Sequence, residues 1–179
     1  MTLLSFKSHL TLMARYNTLM NGRLIATIQP LSDDDLNAPR GAFFGSILGT
    51  MNHLLVGDLM WLHRTRPYPI GSGLAAIDDL PKPVRVDETL SPTRASYEPL
   101  RRQVDSLLTH FVEGLGEDDL AAAFSYRNRL GEFQSKPLGL VLSHVFNHQT
   151  HHRGQITTLL SQMGLDIGVT DLAPLVADV

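Results

Sequence analysis

A chain of 179 residues is about one domain's worth, so one core is expected and a multidomain assembly is not. Its 15 Lys and Arg face 18 Asp and Glu for a net charge of −3, spread as eight of each sign in residues 1–90 and seven basic against ten acidic in residues 91–179. Neither half therefore offers the basic face that a phosphate backbone requires. The 43% hydrophobic and 18% charged content is that of a packed soluble protein, and no run approaches the ~20 apolar residues of a membrane span.

In chain order, Leu3, Phe6, Leu10, Met13, Met20, Leu24 and Ile28 recur at steps that keep one helical face, with Asn17 as the polar entry. Pro30 ends this first helix at about residue 29. The segment LSDDDLNAPRGAFFG is a loop or short turn by its Asp, Pro and Gly content, with Phe43 and Phe44 expected to tuck into the core. Ser46 is the N-cap of a second helix carrying Ile47, Met51, Leu54, Leu55, Leu59 and Leu62, which stops before Pro67.

Residues 67–90, rich in Pro and Gly, form a long connection rather than an element. Ser91-Pro92 then starts a third helix, striped by Leu100, Val104, Leu107, Leu108, Phe111 and Leu115 and ended at Gly114 and Gly116. AAFSYRNRLGEFQS holds two short runs around Asn128 to Gly131, a β-hairpin or an irregular turn. Ser135 with Pro137 begins the last helix, which runs through Val141, Val145, Ile156 and Leu159 to Gly164. Four amphipathic stretches with one long crossover predict an all-α four-helix bundle filling residues 1–179 as a single domain, a fold that places metal sites among side chains of facing helices. The N-terminus mixes Lys7, His9 and Arg15 into its apolar residues and lacks the continuous run of a secretory signal, so a cytoplasmic location is expected.

The chain has no cysteine, which removes disulfides, thiolate metal sites and a cysteine nucleophile. It has eight histidines, and four of them, His144, His148, His151 and His152, stand on the last helix. At ~100° per residue they share an arc of about 100°. Residues four apart have Cβ atoms ~5–6 Å from each other, close enough for two imidazoles to meet on one divalent ion. The pairs His144/His148 and His148/His152 both satisfy this, and spacing does not choose between them. The competing reading is a solvated or hydrogen-bonded histidine face. Against it, the stripe lies beside Val141, Val145, Ile156 and Leu159, where charged imidazoles would be costly and neutral, metal-bound ones would not.

A third ligand must come from elsewhere, and helix two offers His53 and His63. Gly57, one turn after His53, costs ~1 kcal/mol against alanine inside a helix, which a cavity or close approach would explain. His63 reads as an exposed residue near the helix end, and His9 and His110 as structural or surface groups.

The stretches ARYNTLMNGRL, MNHLLVGDLMWLHR, FSYRNRLGEF and above all HVFNHQTHHRGQITTLLSQMG resemble the DinB family of damage-inducible proteins, the DinB/YfiT-like metalloenzymes, over nearly the whole chain. The resemblance implies a four-helix bundle, frequent dimerisation, and a divalent metal, zinc or nickel, held by three histidines. By position these are His53, His148 and His152, with His144 and His151 as neighbours. Related groups include bacillithiol-dependent S-transferases and mycothiol-dependent isomerases.

Three neutral imidazoles leave an ion's charge uncompensated and a coordination position open, the mark of a catalytic site. Such an ion lowers the pKa of bound water or holds a thiol as thiolate. Without cysteine, the sulfur must arrive as a low-molecular-weight thiol. Gln149 occupies the place of the glutamate in an H-E-x-x-H protease, and Asp58 points ~140° away from His53, so no carboxylate base stands beside the ligands and the protease reading is weak. His144, His151, Asn52 and Tyr126 are candidate helpers and Trp61 a candidate pocket wall. Arg153 either anchors an anionic substrate group or makes a surface or interface salt bridge. Asn17 and Asn21 are expected to bond a loop. The sequence thus predicts a metal-dependent transferase or hydrolase acting on a small electrophile or thiol adduct in stress response or detoxification. Its alternatives are a non-catalytic metal-binding bundle and an interaction module without metal, and no nucleic-acid or membrane partner is expected.

Overall fold

A computed structural model describes residues 5–128 and 130–176 of the chain. Helix α1 spans Phe6–Thr27, α2 Asp33–Asn37, α3 Ile47–Thr65, α4 Arg94–Gly114, α5 Glu117–Ala121 and α6 Leu138–Gln162. The four long helices pack as a ring in the order α1, α4, α3, α6 and back to α1, with one core of aliphatic and aromatic side chains inside it. The fold is all-α, as the helical periodicity predicts, and its small sheet is peripheral. None of the described helices is long and apolar enough to cross a membrane.

Helix ends follow local chemistry where the capping partner is close in sequence. The hydroxyl of Ser46 accepts from Gly49 N at 2.9 Å and starts α3 as expected. Helix α1 begins at Phe6 behind the N-cap Ser5; the expected start at Leu3 lies outside the described residues. Helix α4, by contrast, begins behind Thr93, whose hydroxyl accepts from Ser96 N at 3.2 Å in a reciprocal capping box. Ser91 is not the cap. It is buried, its N–H donating to Asn52 Oδ1 at 2.8 Å while its carbonyl accepts from Asn52 Nδ2 at 2.9 Å.

The segment around Asn128 is a hairpin, β1 (Ala123–Arg127) pairing antiparallel with β2 (Phe133–Pro137); Arg129 in its turn lies outside the described residues. Ser135 therefore belongs to a strand rather than to the start of the last helix, while Pro137 ends that strand and is also the N-cap of the helix, as expected. Helix α6 begins at Leu138, whose N–H donates to the carbonyl of Ala122 at 3.0 Å, so the hairpin does the work of a side-chain cap. The connection after α3 is also more ordered than its Pro and Gly content implies. Pro69–Asp79 forms 3₁₀ turns with a kink at Leu74, and Leu74 and Ile77 are buried in the core.

Beside this apolar core runs a buried polar seam. Arg101, fully buried, bridges Asp58 at 2.7 Å and Asp105 at 2.9 Å. Asp105 also accepts from Asn21 at 2.9 Å and Asn17 at 3.4 Å, and the oxygens of both asparagines accept from Arg153. Two cations and two carboxylates thus neutralise one another across α1, α3, α4 and α6. Asn17 and Asn21 serve this network rather than a loop. Arg153, only 5% exposed, is neither a substrate anchor nor a surface ion pair.

Candidate metal centre

Helices α3 and α6 are neighbours in the ring, and the seam between them is where the histidines meet. His53 Nε2 lies 2.9 Å from His148 Nε2, and one nitrogen from each of His53, His148 and His152 falls within 4.8 Å of the other two. Two of the rings are oriented by their second nitrogen. The Nδ1–H of His53 donates to the carbonyl of Val86 at 2.8 Å; because a carbonyl only accepts, the neutral ring must present the lone pair of Nε2 to the centre. His152 does the same through the side-chain oxygen of Gln155 at 2.8 Å. The amide nitrogen of Gln155 faces His151 Nε2 at 3.3 Å, which fixes the orientation of the amide.

These groups fit a divalent ion. Ligand nitrogens on a tetrahedral ion with bonds of ~2.0–2.1 Å stand ~3.3–3.4 Å apart, a few tenths of an ångström more than the 2.9 Å between His53 and His148 and inside the 4.8 Å that encloses all three. Hydrogen bonding of the outer imidazole nitrogens to a carbonyl and an amide is the support that metal-bound histidines receive. Electrostatics agree. Burial, and then repulsion from His152 and His53, pushes the pKa of His148 down from 6.5 to about 3. Burial likewise lowers that of His152, against an opposing contribution from Gln155. Both rings are therefore neutral and able to donate at neutral pH without first losing a proton.

Two glycines let the site assemble. A Cβ on Gly57 would lie 3.2 Å from His148 Cε1 and 3.5 Å from its Nδ1, so the absence of a side chain gives the imidazole room against α3, as the helix-interior glycine implies. A Cβ on Gly49 would stand 2.1 Å from the carbonyl oxygen of Phe44. This close approach holds the preceding loop against the first turn of α3 and lays the Phe44 ring on His53, with centroids 3.7 Å apart and planes 16° from parallel. Phe44 is thus half-buried as a wall of the site, while Phe43 is 87% exposed. Neither phenylalanine joins the core.

A cleft of about 910 Å³ opens over the three imidazoles, bordered by Phe43, Phe44, Asp87, Thr89 and His151. A second cavity of about 300 Å³ shares His53 and His148 with it and continues to Trp61, Arg64, Tyr126 and His144. Trp61 therefore walls a pocket, its ring 5.0 Å from Tyr126 and 5.7 Å from His144. Asn52 is no helper, since its amide is committed to Ser91 and to the Leu48 carbonyl. His63 is held by the Pro81 carbonyl at 3.0 Å, away from the centre. Gln149, fully buried, donates to the Leu54 carbonyl at 3.1 Å, and Asp58 is turned to Arg101.

Sequence reasoning missed Val86, Phe44, Asp87 and Gln155. Val86 contributes a backbone oxygen, which no side-chain pattern reveals. Gln155, three residues after His152, had a readable signal in its helical spacing.

The sequence profile of the DinB family matches residues 6–175. Protein DinB of Bacillus subtilis (strain 168) is 23% identical over 156 residues, 87% of this chain and 87% of that protein. The crystal structure of a DinB-like protein from Bacillus cereus ATCC 10987 shares the fold, with a TM-score of 0.53 at 21% identity over 87% of this chain and 91% of that one. With its bundle and nearly its whole length covered by the profile, this chain belongs to the DinB family.

Proposed function

We propose that the protein binds one divalent metal ion, zinc or nickel, through His53, His148 and His152, and that it transfers a small thiol to an electrophile. The carrying observation is the convergence of three imidazoles, two with their second nitrogen hydrogen-bonded, at the floor of an open cleft. When bound there, a divalent ion supplies positive charge that favours the thiolate over the thiol.

The chain's own groups favour a thiol over water. A bound ion would have to bring water down from a pKa of ~15.7 to ~7, whereas a thiol starts at ~8.5 and needs far less assistance to become a nucleophile. Among the described residues Asp87 is the one carboxylate bordering the cleft, and it is paired with Arg85 at 2.7 Å. Hydrolysis therefore lacks a free carboxylate base. Phe44 shields one face of His53 from water, and Val86 and Gln155 hold two of the imidazoles in the donating tautomer. In the transfer, the sulfur–carbon bond forms as the electrophile's leaving group departs with its electron pair, and the thiol proton passes to solvent.

Protein purified without chelator or nickel resin is expected to carry about one divalent ion per chain, and His53→Ala, His148→Ala and His152→Ala each to lose it. Wild-type protein without metal, together with unchanged melting of the three variants, refutes the site. Bound metal with no consumption of any low-molecular-weight thiol in the presence of alkylating electrophiles refutes the transferase and leaves a metal-binding bundle.

A further inference from the structure

The smaller cavity contains a cation without a counter-charge. Arg64 stands in the last turn of α3, its guanidinium carbon 4.7 Å from the centroid of Trp61 and 5.8 Å from that of Tyr126. Arg66, two residues on, is by contrast paired with Asp78 at 2.9 Å. Arg64 makes no ion pair or side-chain hydrogen bond among the described residues, and no carboxylate borders its cavity. The groups facing it are the aromatic rings of Trp61 and Tyr126, the thioether of Met60, the amide of Asn128 and the imidazoles of His53, His144 and His148. Asn128 is already occupied by Glu132 at 2.7 Å.

A guanidinium stacked on aromatic rings keeps its planar edge, and that edge carries N–H donors whose fork matches a carboxylate. Partial burial against the rings also disfavours its charge and holds its pKa below the ordinary value, so an arriving anion would recover part of that cost. The cavity's volume, about 300 Å³, leaves room for a small ring or short chain beside the charge.

We propose that this cavity is a binding site for a small organic carboxylate, whose acid group is received by the edge of Arg64 and whose apolar body lies along Trp61, Tyr126 and Met60. The site deepens the transferase reading, because it shares His53 and His148 with the thiol cleft and so places one end of an anionic substrate beside the reacting sulfur. Arg64 is a specificity-determining residue here, selecting acids over neutral compounds of the same shape.

Trp61 is the chain's one tryptophan, so its fluorescence reports directly on the cavity. Metal-free protein is titrated with benzoate and with benzamide, its neutral isostere, so that the outcome does not depend on whether metal binds. The expected result is a saturable response to benzoate, at least tenfold weaker for benzamide and weakened by salt. Arg64→Gln is expected to lose tenfold or more in benzoate affinity, Arg64→Lys to keep part of it, and Arg85→Gln, which removes a nearby cation outside the cavity, to keep all of it. No saturable benzoate response overturns the proposal. So does equal affinity for benzamide, an unaltered Arg64→Gln variant, or an equal loss in Arg85→Gln. The comparison of the two probes on wild-type protein stands even if a variant fails to fold. Failure of the metal site would appear in metal analysis alone, and failure of the anion site in this titration alone.

Discussion

Replacing Gly57 by alanine sets helix stability against site geometry. Inside a helix alanine is more favourable than glycine by ~1 kcal/mol, so if nothing else changed the metal-free protein would gain roughly 2–4 °C in Tm. The added methyl would meet His148 Cε1 at 3.2 Å and Nδ1 at 3.5 Å. Carbon atoms rest comfortably at ~3.5–4.0 Å, so the imidazole must retreat by a few tenths of an ångström. Ligand distances in a metal site tolerate about ±0.2 Å, so a shift of that size is expected to weaken metal binding about tenfold, or ~1.4 kcal/mol. The two consequences have opposite signs. Thermal melting of metal-free protein should show Gly57→Ala equal to or above wild type, while competition against a chromophoric zinc chelator shows it about tenfold weaker. Metal affinity within twofold of wild type, in a variant that melts normally, would refute the idea that glycine is there to admit His148.

The histidines also predict a pH dependence. In the unfolded metal-free chain His148 takes up a proton near pH 6.5, whereas in the fold it stays neutral down to about pH 3. The unfolded state therefore binds more protons between these limits, and stability is flat above pH 6.5, falls as the pH drops through the window and levels off near 3. Burial of His152 acts in the same direction. Urea unfolding at several pH values should give a steeper acid-side decline for wild type than for His148→Gln, by about one proton at most; Asp105, raised mainly by burial, is common to both proteins and cancels in the comparison. Parallel curves would refute the assignment. In the polar seam, Arg101→Met should cost about 3–5 kcal/mol, because it leaves Asp58 and Asp105 buried without their cation. Urea denaturation measures this directly, and a loss below ~1 kcal/mol would show that the two carboxylates take up protons or water at little cost.

The bundle was readable because helical periodicity and nearby caps are local properties. Ser46 announces α3 through a bond to a residue three positions on. The misreadings arose where a distant partner decides. Ser91 looks like a cap beside Pro92, yet Asn52 of α3 claims its backbone, and the competing local pattern Thr93 to Ser96 starts the helix instead. Ser135 resembles a helix start until β1 pairs with it, and the helix begins behind Pro137 instead. Phe43 and Phe44 are apolar, which does not distinguish a core from the wall of a cleft. Asn17, Asn21 and Arg153 form their network across separate helices, and no spacing in one helix reveals it. The triad was legible in part. Helical spacing narrowed α6 to two pairs, and the family resemblance singled out His53, His148 and His152, which the structure brings together.

Gln149 shows how packing restricts the chemistry open to descendants of this chain. It stands between His148 and His152, one codon change from the glutamate that would complete H-E-x-x-H. Its amide N–H is spent on the Leu54 carbonyl in the interior, and a glutamate there would bring a carboxylate oxygen against that carbonyl, acceptor against acceptor, with no solvent to separate them. The substitution that on paper creates a hydrolytic base would first unseat α6 from α3, the two helices that hold the histidines. A route to peptide hydrolysis would need the interface rebuilt before the catalytic residue could arrive.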